Sequence, residues 1–342
     1  MELYTTDPLS DSRWDDLVDR HPRASAFHHR GWLEALARTY GYKPCVLTST
    51  PAGRPLNDGV VVCRVSSWIT GTRLVSLPFA DHCEPLLRDD DFGVFADWLR
   101  AECDRQRWKY FEIRPLSLRD TNLLPSFSYC LHQLDIMPNL GRIFQSFHRN
   151  SIQRKIRRAE TERLSYEVGC SEHLLDEFYR LVLITRRRLR VLPQPRNWFK
   201  NLLKSMGDKV QIRLARKNGN SVAALLTLRH RSSVIYKYGC SDKQFHNLGA
   251  MPFLFWKLIE ESKSSGVEQI DFGRTDLNQE GLITFKNRFG TTRSALTYYR
   301  YPNPESGKSV ANLDSRFVRQ VCSILPDAVC CAAGRVLYKH MG

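Results

Sequence analysis

Apolar and polar positions along this chain set out the same order of elements twice. In the first half, "GVVVCRVSS" (59–67) and "TRLVSLPF" (72–79) are β-branched runs bounded by turn residues, and they predict paired strands. The loop "ADHCEPLLRDDD" follows, then "FGVFADWLRAECDRQR", where Phe92, Phe95, Trp98 and Leu99 share a helical face. The strand "KYFEIRP" closes this copy. In the second half, "SVAALLTLRHRSS" (221–233) and "VIYKYGCS" (234–241) read as strands. The loop "DKQFHNLGA", the helix "MPFLFWKLIEESKSSG" and the strand "EQIDFGR" complete the second copy. Both copies close on an acidic residue followed by an arginine, "FEIR" and "IDFGR". The pattern predicts a mixed α/β fold built from a duplicated unit.

Two helices are expected between the copies. "IFQSFHRNSIQRKIRRAETER" keeps Ile143, Phe147, Ile152, Ile156 and Ala159 near helical spacing with one slip. "SEHLLDEFYRLVLITRRRLR" opens on a serine cap and buries Leu174, Phe178, Leu181 and Ile184. Their outer faces carry Arg149, Arg154, Lys155, Arg157 and Arg158, then Arg186, Arg187, Arg188 and Arg190. Domain limits follow at 1–135 and 136–302, with a linker and helical tail at 303–342. The tail predicts two apolar stripes, one through Phe317, Val318, Val321, Ile324 and Leu325. The other runs through Val329, Ala332, Ala333, Val336 and Leu337, with Arg335 and Lys339 beside it.

Charge sharpens this picture. Residues 1–135 hold 16 Lys+Arg against 19 Asp+Glu, out of 51 and 36 in all, which leaves 35 against 17 beyond. A second half this basic suits a polyanionic partner, such as a phosphate-bearing donor, a nucleic acid or an anionic membrane face. No recognition-helix or RNP-type pattern occurs, so no DNA partner is expected. The ten cysteines form no C-x-x-C pair or Cys/His ligand spacing, so no metal is expected. The acidic start "MELYTTDPLSDSRWDD" has no apolar core, which predicts a cytoplasmic chain. The basic amphipathic tail is the candidate for peripheral contact with the cytoplasmic membrane face.

Candidate chemistry concentrates in "IDFGRTDLNQEGLITFKNRFG" (270–290). Asp271, Gly273 and Arg274 end a strand, where open α/β sheets place ligands. Leu282, Phe285 and Phe289 predict the buried face of the next helix, with Gly290 at its end and Lys286 turned off that face. A lysine at the strand mouth can stabilise negative charge that develops in a transition state. In "QFHNLGA" (244–250), Gln244, Gly249 and Ala250 fit the loop that cradles a pyrophosphate at a helix N-terminus. Asn247 replaces that loop's first glycine and tolerates a left-handed conformation. Tyr236 and Tyr238 flank Lys237 on the preceding strand, which sets one of them towards the cleft.

Together, the duplicated unit, the basic helices, "FGRTD", "GLITFKNRFG", "SAFHHRGWLEAL" (25–36) and "SLPFADHCEPLL" (76–87) carry a resemblance. The chain resembles the FemAB-type, BioF2-like branch of the GNAT acyltransferase superfamily over residues 5–302. This branch includes the peptidoglycan interpeptide-bridge transferases. The resemblance implies tandem GNAT-like domains, each a mostly antiparallel mixed sheet flanked by helices. It implies an N-acyltransferase that moves an acyl group from acyl-CoA, or another activated donor, to an amine of a cell-envelope or polysaccharide precursor. Lys286, Asp271 and Arg274 then fall at the reacting centre. The donor falls to Gln244, Asn247, Gly249, Ala250, Arg187, Arg149 and Lys155, and the small-molecule or lipid-linked acceptor to His28, Asp81, Glu84, Arg154 and Tyr238. An aminoacyl-tRNA donor is the alternative within the family, although the helical arm of the bridge-forming enzymes has no room here. The alternative outside it is a non-catalytic nucleic-acid or polyanion-binding protein on the same fold. The "DHCEP" loop also raises a Cys83 nucleophile, disfavoured because triads assemble from distant positions.

Overall fold

The computed structural model describes residues 2–88, 91–117, 123–303 and 326–342. In chain order it forms β1 (Tyr4–Thr6), α1 (Arg13–Arg20), α2 (Arg30–Tyr40), β2 (Lys43–Thr48), β3 (Val60–Val65) and β4 (Arg73–Val75). Next come α3 (Phe92–Arg105), β5 (Phe111–Ile113), β6 (Pro125–Asp135), α4 (Leu140–Ser146), α5 (Arg154–Thr161), β7 (Ser165–Gly169), α6 (Glu172–Leu189) and α7 (Arg196–Met206). The rest is β8 (Val210–Lys217), β9 (Asn220–His230), β10 (Ser233–Ser241), α8 (Ala250–Ser264), β11 (Gln269–Asp276), α9 (Glu280–Asn287), β12 (Thr292–Tyr301) and α10 (Asp327–Tyr338). The doubled strand–strand–helix–strand order is present, in a mixed α/β fold whose strands are mostly antiparallel. The chain divides into two compact units. One takes the chain up to Tyr129, a return from Ala295 and the end from Arg335; the other takes Cys130–Ser294 and residues up to Gly334.

In the first unit the strand order is β1-β2-β3-β4-β5-β12. β4 and β5 run parallel, with Val75 opposite Glu112. Helix α3 buries Phe92, Phe95 and Leu99 against Val60, Val62, Leu74 and Phe111, as its spacing predicted. Glu112 is buried and lies between two guanidinium groups, Arg114 at 2.8 Å and Arg300. The Arg300 guanidinium also stacks over Tyr110, 3.9 Å from the ring centre. Burial alone would raise the Glu112 carboxyl; Arg114 and Arg300 overcome it and hold the group below its ordinary value.

The second unit has the order β6-β11-β10-β9-β8-β7. On one face α5 and α8 bury Ile156, Ala159, Leu254 and Phe255 with Ala223 and Leu225 of β9. On the other, Phe178 of α6 meets Phe199 of α7, which meets Tyr238 of β10. The slip in the basic block is real. The chain leaves the helix at Phe147 and re-enters through a π-helical turn, Arg149–Gln153, so the five-residue step from Phe147 to Ile152 still keeps both side chains inside. Ser171 caps α6 as expected, by accepting the Leu174 N–H at 3.2 Å. Ile184 is only half-buried, and Val182 and Thr185 take its place on the inner face.

Helix α10 corrects the predicted tail stripe. Its inner face is Cys330, Gly334 and Tyr338, while Val329 and Val336 are exposed. Gly334 explains the choice, because a Cβ there would collide with the Pro193 carbonyl oxygen. A residue without a Cβ therefore takes the inner position at 334, while the branched Val329 and Val336 stay outside. The other predicted stripe, Phe317 to Leu325, lies outside the described residues.

Removing the Glu112 carboxylate leaves the buried Arg300 and the half-buried Arg114 short of their counter-charge. Glu112→Ala should destabilise the protein by about 3–5 kcal/mol in urea unfolding. With its folded pKa depressed, Glu112 contributes stability in full above its unfolded value, about 4.3. That contribution is lost as pH falls through the folded value, so Glu112→Gln should flatten the acid side of the stability profile. An unchanged acid slope would show that the pair contributes nothing to folding.

Candidate active site

Strands β10 and β11 set the site's frame. They pair in parallel from Ser233↔Gln269 to Ile235↔Asp271, and the pairing stops there although both strands continue. A bulge at Lys237 breaks the pairing of β10 with β9 just beyond. The extra residue turns two tyrosines to opposite faces. Tyr236 packs on Phe255 and Phe272, and Tyr238 on Phe199. Tyr238 was expected to meet substrate, and its hydroxyl here accepts from Trp198 Nε1 at 2.9 Å and Gln194 Nε2 at 3.1 Å.

Asp271 is the last residue of β11 paired with β10, and it is buried. Its carboxylate accepts the Gly273 N–H at 2.6 Å, closing a turn in which Gly273 takes φ +72°. That turn presents the Gly273 and Arg274 carbonyls to α9. Lys286 reaches them from the helix, with Nζ 2.8 Å from the Gly273 oxygen and 3.4 Å from that of Arg274. Lys286 is only 2% exposed. The expected helix face is therefore rotated. Ile283, Lys286 and Phe289 point inwards, and Leu282 is 38% exposed. The cause is polar, because a buried ammonium needs oxygen partners and this turn supplies them. Phe285 and Phe289 complete the packing against Phe255. Gly290 follows in the left-handed conformation, as expected of a residue ending the helix.

One member of the site had no sequence signal. His132, in the apolar strand β6, is fully buried, and its Nε2 donates to Asn287 Oδ1 at 3.0 Å. The Nδ1 atom has no hydrogen-bond partner. Burial lowers its pKa first, then the Lys286 and Arg293 charges; the Asn287 bond and Asp271 oppose them. The ring is thus a neutral base beside a lysine and a carboxylate. Among "SYCLHQLD" it reads as one polar residue in a strand, and only pairing across the sheet reveals its neighbours.

A second cluster gathers at the start of α8. Residues Lys243–Leu248 wind into a 3-10 turn whose N-cap Asp242 accepts the Gln244 N–H at 3.0 Å. Asn247 lies inside this turn and does not take the left-handed conformation; Gly249 takes it, at φ +77°. A Cβ on Gly249 would strike the Lys155 carbonyl oxygen, so α5 packs directly on the loop. His246 Nε2 lies 2.9 Å from both Arg188 and Ser241 Oγ. Its pKa is pushed down by burial first and then by Arg188 and Lys155, with Lys243 adding to them and Asp242 opposing. Lys155 of α5 and Arg188 of α6 thus flank a loop that carries Lys243 itself. Gln244, Asn247, Arg149, Arg154, Lys155 and Arg187 are all exposed. Arg188, seen in the sequence only as one of four helix-end arginines, is the residue that binds the loop.

The first unit treats its expected site residues differently. His28 is fully buried; Nδ1 accepts from the Ser25 N–H at 3.0 Å and Nε2 donates to the Glu84 carbonyl at 2.8 Å. Those partners fix the proton on Nε2. Cys83 Sγ lies 3.4 Å from that nitrogen, so its neighbour is a donor and not a base. Burial also raises the thiol well above its ordinary pKa. The pair is structural. The Glu84 carboxylate is buried and accepts the Leu116 N–H at 2.5 Å, while the Asp81 carbonyl accepts from Tyr298. His28 and Glu84 hold this loop from inside.

Comparisons bear on both units. Residues 146–286 match the family model described as an Acetyltransferase (GNAT) domain. The chain's fold is similar to that of FemX, at 14% identity and TM-score 0.67, over 88% of this chain and 97% of that one. It is also similar to the C-terminal domain of a putative lysylphosphatidylglycerol synthetase from Agrobacterium fabrum (13%, TM-score 0.56, 94% and 97%). A tandem GNAT protein from the clavulanic acid biosynthesis pathway aligns over 90% of this chain and 100% of its own, at 12% identity and TM-score 0.52. No curated protein matches the chain. The fold is that of the GNAT acyltransferases, with FemX among its structural neighbours.

Two substitutions probe this geometry. Lys286→Ala leaves the Gly273 and Arg274 carbonyls without this donor and should cost about 1–3 kcal/mol in thermal or urea unfolding. Gly249→Ala should destabilise α8 by more than the usual ~1 kcal/mol for a lost left-handed glycine, since the Lys155 backbone must also move. Wild-type stability in either variant would mean that these contacts carry no energy.

Proposed function

We propose that the second unit is an N-acyltransferase. In this reading it takes an acyl group from acyl-CoA and delivers it to an amine of a cell-envelope or polysaccharide precursor. The observation that carries the reading is the cation cluster of Lys155, Arg188 and Lys243 at the N-terminus of α8, in a unit that matches the GNAT domain model. The helix start and its cations suit the phosphates of such a donor. From there its thioester arm enters the fork where β10 and β11 part, and reaches the Lys286 turn. The acceptor amine attacks the thioester carbonyl, negative charge develops on its oxygen, the C–S bond breaks as the carbonyl re-forms, and the departing thiolate takes up the proton that the amine loses. Lys286 supplies fixed positive charge at that point, and Asp271 holds the turn that orients it. His132 acts as a positioning residue. It grips Asn287, next to Lys286, and its neutral ring adds no second positive charge there.

An aminoacyl-tRNA donor, which the FemAB-type resemblance implies, is the second donor class to be tested. Acetyl-CoA and aminoacyl-tRNA should be offered in parallel with an amine acceptor. For the acyl-CoA reading, Lys155→Ala/Arg188→Ala should raise the donor KM at least ~10-fold with kcat nearly kept. Lys286→Met should lower kcat by roughly 10²–10³, the usual loss for one oxyanion donor. Turnover with aminoacyl-tRNA alone would replace the donor. Equal kinetics in wild type and Lys286→Met would remove the lysine from the chemistry.

The pH profile tests His132 separately. Activity should decline as pH falls through a pKa below the ordinary 6.5, because protonation sets two cations side by side. His132→Gln should abolish that acid limb. An acid limb retained in the variant belongs to another group.

A further inference from the structure

The tip of the β3–β4 hairpin holds two large apolar side chains in water. Trp68 is 85% exposed and Ile69 is 49% exposed. The tip is rigidly built. Ser67 Oγ accepts the Ile69 and Thr70 N–H groups at 3.1 and 2.9 Å, and Gly71 at φ +83° returns its N–H to the Ser67 carbonyl at 2.8 Å. The last residues of the same unit brace it. His340 Nδ1 lies 3.0 Å from Ser67 Oγ, and its carbonyl accepts from Thr70 Oγ1 at 3.1 Å and from the buried Arg73 at 2.8 Å. The His340 ring meets Trp68 edge-on, with ring centres 5.7 Å apart. Next to it Met341 is 42% exposed. Exposed cations border these residues. Lys109 lies against Gly71, and Arg335 and Lys339 lie on the segment that carries His340.

We propose that this tip docks the protein on an anionic lipid surface. The tip holds an indole and a branched aliphatic, with the Met341 thioether on the segment that braces it, and these suit the headgroup–acyl boundary where tryptophan concentrates. Lysine and arginine at its border suit anionic headgroups. The patch is too small for a stable protein partner, since three such side chains bury on the order of 400 Å² and a standard interface takes about 800 Å² per side. Among the described residues no helix is long and apolar enough to cross a membrane. Docking by this tip stands whether or not the second unit transfers acyl groups.

Vesicle co-sedimentation tests it, using the full chain with phosphatidylcholine vesicles that do or do not contain about one third phosphatidylglycerol. The wild type should pellet with the anionic vesicles only, and raised salt should release it. Trp68→Ser/Ile69→Ser, which alters only exposed positions, should lower partitioning at least ~10-fold with an unchanged circular dichroism spectrum and melting temperature. Arg335→Ala/Lys339→Ala should weaken binding and reduce its salt dependence. Wild type remaining in the supernatant at low salt, or the double-serine variant pelleting equally, would overturn the proposal. So would concentration-dependent self-association that needs Trp68 and occurs without vesicle binding, because the tip would then serve a second copy of the chain.

Discussion

A lysine ammonium sealed against two backbone carbonyls is the constraint on which the rest of the second unit depends. Burying that charge is costly unless oxygen surrounds it. The oxygens come from a turn that only Gly273 can make, and Asp271 fixes that turn through the Gly273 N–H. The aromatic stack of Phe255, Phe272 and Phe289 closes over the same elements. His132 then finds its place against Asn287, one residue beyond the lysine. Strand end, glycine turn, helix and histidine thus form one hydrogen-bonded cluster.

The first unit shows what the same scaffold does without that chemistry. Glu112 corresponds to Asp271 in the strand order, since each is the last residue of its strand to pair with the parallel neighbour. Glu112 is neutralised by two arginines, one of them stacked on Tyr110, and nothing mobile is left there to act on a substrate. A carboxylate clamped by two guanidinium groups is a structural part. A carboxylate that instead orders a glycine turn beside a lysine leaves positive charge poised. Duplication therefore gave one acid a folding role and the other a place in a candidate active site.

Much of this was legible in the sequence, for physical reasons. Hydrophobic period revealed α3, α6 and α8 and the repeated order of strands, because burial dictates period directly. The slip between Phe147 and Ile152 marked a real π-helical turn. Lys286 and Asp271 could be picked out because charges beside phenylalanines at a strand end are unusual. Rotation of α9 could not be read, since Leu282 fits an apolar face better than Lys286 and only the carbonyls of β11 reverse that preference. The role of His28 was hidden for a related reason. A histidine whose two nitrogens are satisfied by Ser25 and Glu84 looks, in one dimension, like one that meets a substrate. Pairings across a sheet, such as those that bring His132 to Asn287, leave no trace in local spacing.

In the proposed reaction the cations at the start of α8 hold the phosphates of an acyl donor whose carbonyl lies near Lys286. Native mass spectrometry of the purified chain, before and after incubation with acetyl-CoA, tests this most directly. The account predicts a single bound CoA species on the wild type, kept by Lys286→Met and lost from Lys155→Ala/Arg188→Ala. A wild-type chain that carries no CoA species under either condition, or a double variant that retains it, would contradict the account.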